Sequence, residues 1–218
     1  MKLILLGTAG FIPTDQAQTA CLMLPEVGIL LDAGTGMYRM NKYLQTDEID
    51  IYLSHAHGDH TRGMVFLFAS FFVHQIHQIH QMQAVVDETN IADIGLKANH
   101  GLHTTRIHAS QLALDFLTKE YEPFQMDWHL MNDQEPLPNG GTITAFHVGN
   151  KDEIGFRLDW PGHSMAYVTD TVAKQDAPYI NCIRGVDLLV HECNGPERLA
   201  KLMAQVGHSS TLAVARVA

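Results

Sequence analysis

Short apolar runs that end in glycine-rich turns predict a series of β-strands in the first quarter of the chain. These predicted strands cover the first six residues and residues 19–24, 27–31 and 49–53. A turn at 32–36 follows the third strand and leads into a helix predicted at 37–44. The fourth strand ends at the polar run His55-Ala56-His57-Gly58-Asp59-His60, and α/β sheets commonly bind ligands at such carboxyl ends.

The rest of the chain alternates between strands and helices and contains one irregular stretch. Helices are predicted at residues 61–73, 111–121, 175–184, 196–205 and after His208, and strands at 126–131, 142–148, 154–160, 165–169 and 187–190. Residues 74–108 are rich in histidine but weakly periodic, so we expect a histidine-rich insertion or lid there. Because no linker divides the 218 residues, the sequence predicts a single α/β domain over residues 1–218.

The amino-acid composition indicates which kinds of substrate and binding partner to expect. Asp and Glu outnumber Lys and Arg by 24 to 14, and the formal net charge of −10 repels polyanions and favours a small substrate over nucleic acid. The three cysteines have no C-x-x-C spacing, which argues against a thiolate zinc site and a disulfide framework. The apolar start is too short for a signal peptide, and no apolar run is long enough to cross a bilayer. We therefore expect a cytoplasmic protein without membrane partners.

Fourteen histidines are the main excess in the composition, and some of them fall in a pattern suited to binding metal. His55 and His57 lie two apart on an extended segment, while Asp59 and His60 lie in the turn that follows. Zinc takes imidazole nitrogen and carboxylate oxygen at roughly 2.0 to 2.2 Å, and one such run cannot complete two sites. The ends of later predicted strands and turns offer the missing candidates: His147, Asp170, His191 and His208.

The run His-x-His-x-Asp-His after a strand resembles the signature of the metallo-β-lactamase superfamily. Further motifs follow in the family's order: Leu6-Gly7-Thr8, Leu31-Asp32-Ala33-Gly34, Ala145-Phe146-His147, Tyr167-Val168-Thr169-Asp170-Thr171, Leu189-Val190-His191-Glu192 and Gly207-His208-Ser209-Ser210. Together they resemble the branch that contains ribonuclease Z and cyclic-phosphate phosphodiesterases. The resemblance spans nearly the whole chain outside residues 74–108, and it implies the α/β fold of that family, a four-layer αββα sandwich.

The same resemblance implies a centre of two divalent metal ions, with zinc expected first and manganese or iron as alternatives. It assigns His55, His57 and His147 to one ion, Asp59, His60 and His208 to the other, and Asp170 to both. A water that bridges two such ions is available as hydroxide near neutral pH, and this hydroxide is the expected nucleophile. Asp59 would also orient the hydroxide or take its proton.

Two further residues take supporting roles in this comparison. Asp32 resembles an aspartate that accepts a ring N–H from a ligand histidine and thereby fixes its tautomer. His191 resembles a histidine that contacts the substrate phosphate or protonates the leaving oxygen. Ribonuclease Z members support that histidine with an acid three residues before the bridging aspartate, but this chain has Tyr167 at that place.

The predicted reaction is hydrolysis of a small or cyclic phosphodiester. Transfer RNA 3′ processing is an alternative, but only 23 positions separate His147 from Asp170, which leaves no room for the family's tRNA-gripping arm. Thioesterases and lactonases of the same fold remain alternatives because they use the same ligand types. A scaffold or binding module without activity is a further alternative. The sequence is compatible with a homodimer and does not decide the oligomeric state.

His74, His77 and His80 would share one face of a helix, where they are either solvated or bind metal.

Overall fold

The computed structural model describes residues 1–67, 104–122, 126–149 and 152–218. The chain forms two compact units, one of Met1–His108 with Thr118–His129 and one of Ala109–Leu117 with Leu130–Ala218. Each unit is centred on one β-sheet.

The first sheet contains six strands whose order in space follows their order in the chain. They are β1 Ile4–Gly7, β2 Cys21–Leu24, β3 Ile29–Leu31, β4 Glu48–Tyr52, β5 Thr104–Ala109 and β6 Asp127–Leu130. β1, β2 and β3 pair antiparallel, whereas β3, β4 and β5 pair parallel. Because Leu31 pairs with Tyr52, the segments that leave β3 and β4 start side by side at one edge of the sheet.

The second sheet contains five strands in the order β11-β10-β9-β8-β7. They are β7 Gln134–Leu137, β8 Gly141–His147, β9 Ile154–Trp160, β10 His163–Val168 and β11 Leu188–His191. The pairs are antiparallel except for β10 and β11, which run parallel with Val168 opposite His191. The antiparallel order brings the carboxyl ends of β8 and β10 to the same edge, and the parallel pair adds the carboxyl end of β11.

Most of the described helices are short, and the longest α-helix among them has 10 residues. The α-helices that lie wholly within the described ranges are α1 Gly58–Thr61, α2 Gln111–Glu120, α3 Ile180–Ile183, α4 Ala200–Gln205 and α5 Thr211–Ala215, and 3₁₀ turns there cover Thr35–Lys42, Arg62–Met64, Pro138–Gly140 and Glu197–Leu199. Within the described ranges, no helix combines the length and the apolar character that a membrane crossing requires.

Alternation along the parallel strands of the first sheet explains which side chains form its core. Ile49 and Ile51 of β4 and Ile107 of β5 are buried, and the residues between them point to the opposite face. That opposite face carries a polar cluster in which Asp50 accepts hydrogen bonds from Arg106 Nε at 2.7 Å and from His108 Nε2 at 2.9 Å. The hydrophobic pattern therefore fixes one face of the strand, while paired charges occupy the other.

The structure corrects the carboxyl boundary of the predicted insertion. Residues 104–108 were assigned to the insertion or lid at 74–108, but they form most of β5 and pair in register with β4. The signal that identifies this strand is the alternation of Arg106 and His108 with buried Thr105 and Ile107. The part of the predicted insertion at 74–103 lies outside the described residues.

Two other elements differ from the pattern-based prediction. The helix expected at 175–184 is limited to Ile180–Ile183, because Pro178 disfavours helical geometry at Ala177. The strand β7 was not predicted, because Pro136 and Pro138 indicated only a turn. Since β7 is the edge strand of its sheet, Pro136 can occupy it without removing a hydrogen bond from the sheet interior.

Candidate metal centre

The parallel pairing of β3 and β4 places Asp32 beside the start of the polar run. The N–H of Asp32 donates to the carbonyl of Tyr52 at 2.9 Å, which continues the pairing for one residue beyond β3. The Asp32 side chain is fully buried and its backbone has φ of 59°. Asp is one of the few residues apart from glycine that accept this left-handed conformation, and a residue held there commonly marks a functional site.

Both oxygens of the Asp32 carboxylate accept hydrogen bonds, and the donors belong to Ser54 and His60. Oδ1 accepts the N–H of Ser54 at 2.7 Å, and Oδ2 accepts the hydroxyl of Ser54 at 2.9 Å. Oδ2 also lies 2.7 Å from Nδ1 of His60. Since an ionised carboxylate only accepts, Nδ1 of His60 carries the proton. The contact expected between Asp32 and a histidine of the run is confirmed, and Ser54 is a partner that the sequence did not single out.

Through Ser54, Asp32 also determines which ring nitrogen of His55 carries the proton. Its hydroxyl proton goes to Asp32, so the hydroxyl oxygen can only accept from Nδ1 of His55, which lies 2.9 Å away. Nδ1 of His55 is therefore protonated as well. In both His55 and His60 the remaining nitrogen, Nε2, carries a lone pair, which is the form of imidazole that binds metal.

Each of these two nitrogens faces a second potential donor atom. Nε2 of His55 lies 2.9 Å from Nδ1 of His57, and Nε2 of His60 lies 3.4 Å from Oδ2 of Asp59. Two ligand atoms on one tetrahedral zinc ion are about 3.3 Å apart at the usual bond lengths. The spacing of both pairs and the chemistry of their donors thus fit divalent metal ions, one beside His55 and His57 and one beside Asp59 and His60.

Backbone packing holds this segment against the turn after β3. The N–H of Ala33 donates to the carbonyl of His60 at 2.7 Å, and the N–H of Gly63 donates to the carbonyl of Ala33 at 2.7 Å. A Cβ at Gly34 would lie 2.3 Å from the carbonyl oxygen of Asp59, and one at Gly63 would lie 2.0 Å from that of Gly34. The two glycines are required because the backbones approach so closely.

In the second unit, the predicted site residues lie at one edge of the second sheet. His147 is the last residue of β8 and is exposed, and Asp170 follows β10 with φ of 44°. The hydroxyl of Thr171 donates to the carbonyl of Val148 at 2.6 Å, which ties the ends of β8 and β10 together. The hydroxyl of Thr169 donates to Oδ1 of Asp170 at 3.0 Å. The residue after the bridging candidate thus anchors the segment that follows His147.

Serine and glutamate side chains bring the His208 segment to the same edge. The hydroxyl of Ser209 donates to the carbonyl of Thr171 at 2.7 Å and accepts the N–H of Ala173 at 2.9 Å. Oε1 of Glu192 accepts the N–H groups of both Thr171 and Ser209, at 3.1 and 3.0 Å. Burial raises the pKa of Glu192, while the neighbouring His208 opposes that rise. Asp170, His191 and His208 are therefore carried by three segments that are bonded to one another.

The surroundings of His191 differ from those of the other candidate residues. Its Nδ1 donates to the carbonyl of Glu192 at 2.8 Å, which leaves Nε2 to accept the hydroxyl of Tyr179 at 3.0 Å. Burial lowers the pKa of His191, although the bond to the Glu192 carbonyl opposes this, and burial next to the Glu192 carboxylate raises the pKa of Tyr179 to about 12. Burial and these two hydrogen bonds thus favour the neutral ring of His191, and the Tyr179 hydroxyl occupies the lone pair of Nε2.

The comparison with known families decides the class of this fold. Residues 28–218 match the family model described as the Beta-lactamase superfamily domain. The chain belongs to the beta-lactamase superfamily. This superfamily consists of hydrolases, and the metallo-β-lactamase fold implies that divalent metal is bound.

Individual relatives support the ribonuclease Z-like branch of the beta-lactamase superfamily. A ribonuclease Z of Haloarcula marismortui is 22% identical over 256 residues, which cover 100% of this chain and 82% of the relative. A ribonuclease Z of Saccharolobus islandicus is 24% identical over 257 residues, covering 100% of this chain and 84% of the relative. The resemblance to this branch that the motifs predict is thereby confirmed.

Solved structures of the superfamily agree with this fold. The metallo-β-lactamase fold protein YhfI from Bacillus subtilis superposes with a TM-score of 0.71 at 19% identity, covering 99% of this chain and 80% of that chain. The short form of human tRNase Z gives a TM-score of 0.66 at 18% identity, covering 100% of this chain and 87% of that chain. The predicted α/β class and metallo-β-lactamase fold are therefore confirmed.

The described structure groups the predicted site residues within each unit. In the first unit it brings together His55, His57, Asp59 and His60, and in the second it places His147, Asp170, His191 and His208 along one sheet edge. Their roles as ligands stay predictions. Sequence reasoning did not single out Ser54 or Tyr179, which stand in no chemical motif. It included Glu192 in the motif Leu189-Val190-His191-Glu192 but did not predict the hydrogen bonds around it. The triplet His74, His77 and His80 lies outside the described residues.

Proposed function

We propose that this chain is a metal-dependent phosphodiesterase that hydrolyses small or cyclic phosphodiesters. The observation that carries the proposal is the protonation pattern set by Asp32. Through direct contact with His60 and through Ser54 to His55, this one carboxylate leaves Nε2 of both histidines as a metal-binding lone pair. A structural core histidine needs no such arrangement, whereas a metal ligand commonly has it.

The proposed ligand set follows the order of the superfamily's motifs. His55, His57 and His147 would hold one ion, Asp59, His60 and His208 would hold the other, and Asp170 would serve both. Zinc is the first expectation for each site because its usual donors are imidazole and carboxylate, with manganese or iron as alternatives. When bound, two such ions supply an activated water at neutral pH and neutralise charge on the phosphoryl group.

Protein groups contribute the remaining steps. Asp59 is the candidate for orienting the attacking water or taking its proton, because its second oxygen is left when one oxygen binds metal. His191 is the candidate for contacting the phosphate or protonating the leaving oxygen. Because Nε2 of His191 accepts the Tyr179 hydroxyl, this role requires that bond to open and Nε2 to take up a proton from solvent before His191 can donate it.

Three features favour a small substrate. The net charge of −10 repels polyanions such as tRNA. The strands β9 and β10 take up 13 of the positions between His147 and Asp170. Tyr167 stands where ribonuclease Z members carry an acid, and it is buried. The ribonuclease Z relatives make a tRNA 3′ endonuclease the second candidate.

Four substrates separate the candidate functions. Metal-free protein is reloaded with zinc or manganese and assayed with bis-p-nitrophenyl phosphate, a thioester, a lactone and a precursor tRNA. Turnover of the phosphodiester alone is the expected result, whereas turnover of only the thioester or lactone would reassign the reaction. Cleavage of the tRNA at its 3′ end would favour the endonuclease, and a protein with neither metal nor turnover would be a scaffold or binding module.

Two histidine variants provide a matched comparison for this assay. His57→Ala removes a proposed ligand and should abolish turnover. His163→Ala removes a surface histidine that stacks on Trp160 at 5.5 Å between ring centroids, and it should leave turnover unchanged. Equal loss in both variants would remove the support that the His57 assignment gives to the proposal.

A further inference from the structure

Glu192 is the residue at which three segments of the second unit meet. It follows β11 directly, and its own N–H donates to the carbonyl of Val168 at 2.8 Å. Its Oε1 accepts the N–H of Thr171 and the N–H of Ser209. One carboxylate oxygen therefore fixes the residue after Asp170 and the residue after His208.

The same oxygen faces the ring of His208. Nδ1 of His208 lies 3.4 Å from Oε1 of Glu192, and the backbone N–H of His208 is bonded to the carbonyl of Met203 at 2.8 Å. Within the described residues, Nδ1 of His208 is buried without a hydrogen bond. A tautomer with its proton on Nδ1 is attracted to the carboxylate, whereas the other tautomer presents a lone pair to it and is repelled.

The second carboxylate oxygen of Glu192 also lacks a described partner and could accept a hydrogen bond from His208. Oε2 is also buried, and within the ranges that the structure describes it has no hydrogen-bond partner. A buried polar atom without a partner is costly, and a buried negative charge is more so. A short movement of the His208 ring that brings Nδ1–H onto the carboxylate satisfies both residues and leaves Nε2 directed away from it.

We propose that Glu192 is a positioning residue that holds His208 as the Nδ1–H tautomer, so that Nε2 is available to bind metal. This inference rests on the proposed function, in which His208 is a ligand. Glu192 would then serve His208 in the second unit as Asp32 serves His60 in the first. It would at the same time set the position of the Asp170 segment through the N–H of Thr171.

The first test reads the tautomer in metal-free protein. Nitrogen-15 chemical shifts of the His208 ring should show the proton on Nδ1 in the unaltered chain. In Glu192→Gln, which keeps an oxygen for the two backbone N–H groups but lacks the charge, the proton should shift toward Nε2. Glu197→Gln is the matched control, because the Glu197 carboxylate accepts the hydroxyl of Ser210 at 2.6 Å, two residues from His208, and should leave the His208 tautomer unchanged.

The second test measures cobalt binding without any substrate. In Glu192→Gln the weaker of two Co²⁺ dissociation constants should rise about 10- to 100-fold, with a change in the cobalt absorption spectrum. Glu197→Gln should bind as the unaltered chain does. Glu192→Ala also removes the hydrogen bonds from the N–H groups of Thr171 and Ser209. Comparing its unfolding midpoint with that of Glu192→Gln shows whether weaker cobalt binding follows from a loss of folded structure.

The outcomes for Glu192 and for the proposed function are distinguishable. Unaltered tautomer and unaltered cobalt binding in Glu192→Gln would overturn the positioning role while leaving the metal centre in place. If the unaltered chain bound no cobalt, the proposed function would fail whatever the tautomer. A shift of tautomer in Glu192→Gln, together with weaker binding of one ion, is the result that supports the inference.

Discussion

Nδ1 of His60 and Oδ2 of Asp32 lie 2.7 Å apart, and both side chains are buried. The two residues are 28 positions apart in the chain, yet the parallel pairing of β3 with β4 brings their segments together. The same carboxylate reaches His55 through the Ser54 hydroxyl. One buried charge thus determines which nitrogen of two histidines is free to bind a cation.

Asp32→Asn should weaken metal binding, because an amide cannot accept on both sides. The Asp32 carboxylate accepts from Ser54 on one oxygen and from His60 on the other, so the NH₂ group of Asn must face one of these donors. Metal affinity, measured by competition with a chelator, should fall by about 10- to 100-fold. The free energy of unfolding should fall by roughly 1 to 3 kcal/mol.

Asp187→Asn is the control for that substitution. The Asp187 carboxylate accepts the N–H of Ser164 at 2.7 Å and its hydroxyl at 3.0 Å, but Asp187 is exposed. Its replacement should leave metal affinity unchanged. If Asp32→Asn bound metal as tightly as the unaltered chain, the role given to the Asp32 carboxylate would be wrong.

Tyr179→Phe should raise the pKa of His191. The Tyr179 hydroxyl donates to the lone pair of Nε2 in the neutral His191 ring, so removing it takes away a bond that supports the neutral form. The variant should also lose roughly 1 to 2 kcal/mol of stability from the missing hydrogen bond. An NMR titration of His191 checks the direction of the pKa change, and a lower or unchanged pKa would contradict the assigned hydrogen bond.

Tyr38→Phe serves as the matched variant in this titration. The Tyr38 hydroxyl accepts from Arg39 Nε at 2.9 Å, and the Tyr38 side chain is exposed. The pKa of His191 should be the same in this variant as in the unaltered chain. If His191 donates a proton during hydrolysis, the alkaline limb of the pH–rate profile should move to higher pH in Tyr179→Phe but not in Tyr38→Phe.

Asp50→Asn should make the free energy of unfolding less dependent on pH in the acid range. Burial disfavours the charged form of Asp50, but hydrogen bonds from Arg106 and His108 outweigh it and lower its pKa from 3.8 to about 2. Because the pKa is lower in the folded chain, the contribution is fully present above about pH 4 and is lost as the pH falls toward 2. This contribution is at most about 2 kcal/mol at neutral pH.

Urea unfolding at pH 7 and at pH 3 measures that difference. Asp50→Asn should be less stable than the unaltered chain at pH 7, and the gap should narrow at pH 3. Asp159→Asn is the comparison, because the Asp159 carboxylate also binds an arginine but is 41% exposed, against 13% for Asp50, and its loss should cost less. A gap that is equal at both pH values would contradict the assigned role of the Asp50 ion pair.

Local pattern was sufficient to predict the strands that carry the site. The apolar runs before Asp32 and His55 are short and end at turn residues, and the structure places β3 and β4 there. The motif order then predicted the family, because ligands of a metal centre must occur at strand ends in a fixed sequence. β5 and β7 were missed since Arg106 and His108 on one and Pro136 on the other obscured the apolar pattern.

Apart from Asp32, the supporting residues could not be predicted from the sequence, because their roles depend on contacts between distant segments. Glu192 acts on residues 171 and 209 only because β10 and β11 run parallel and the last turn folds back onto them. Tyr179 reaches His191 across 12 positions with no repeating pattern between them. Ser54 is an exception in hindsight, since it directly precedes the histidine whose tautomer it sets.

The most direct test of the account is hydrolysis of bis-p-nitrophenyl phosphate by metal-free protein as zinc is added back. Metal-free protein should show no turnover, and the rate should rise until about two equivalents of zinc are bound per chain. An unaltered rate in metal-free protein, or no phosphodiester hydrolysis at any zinc or manganese loading, would contradict it.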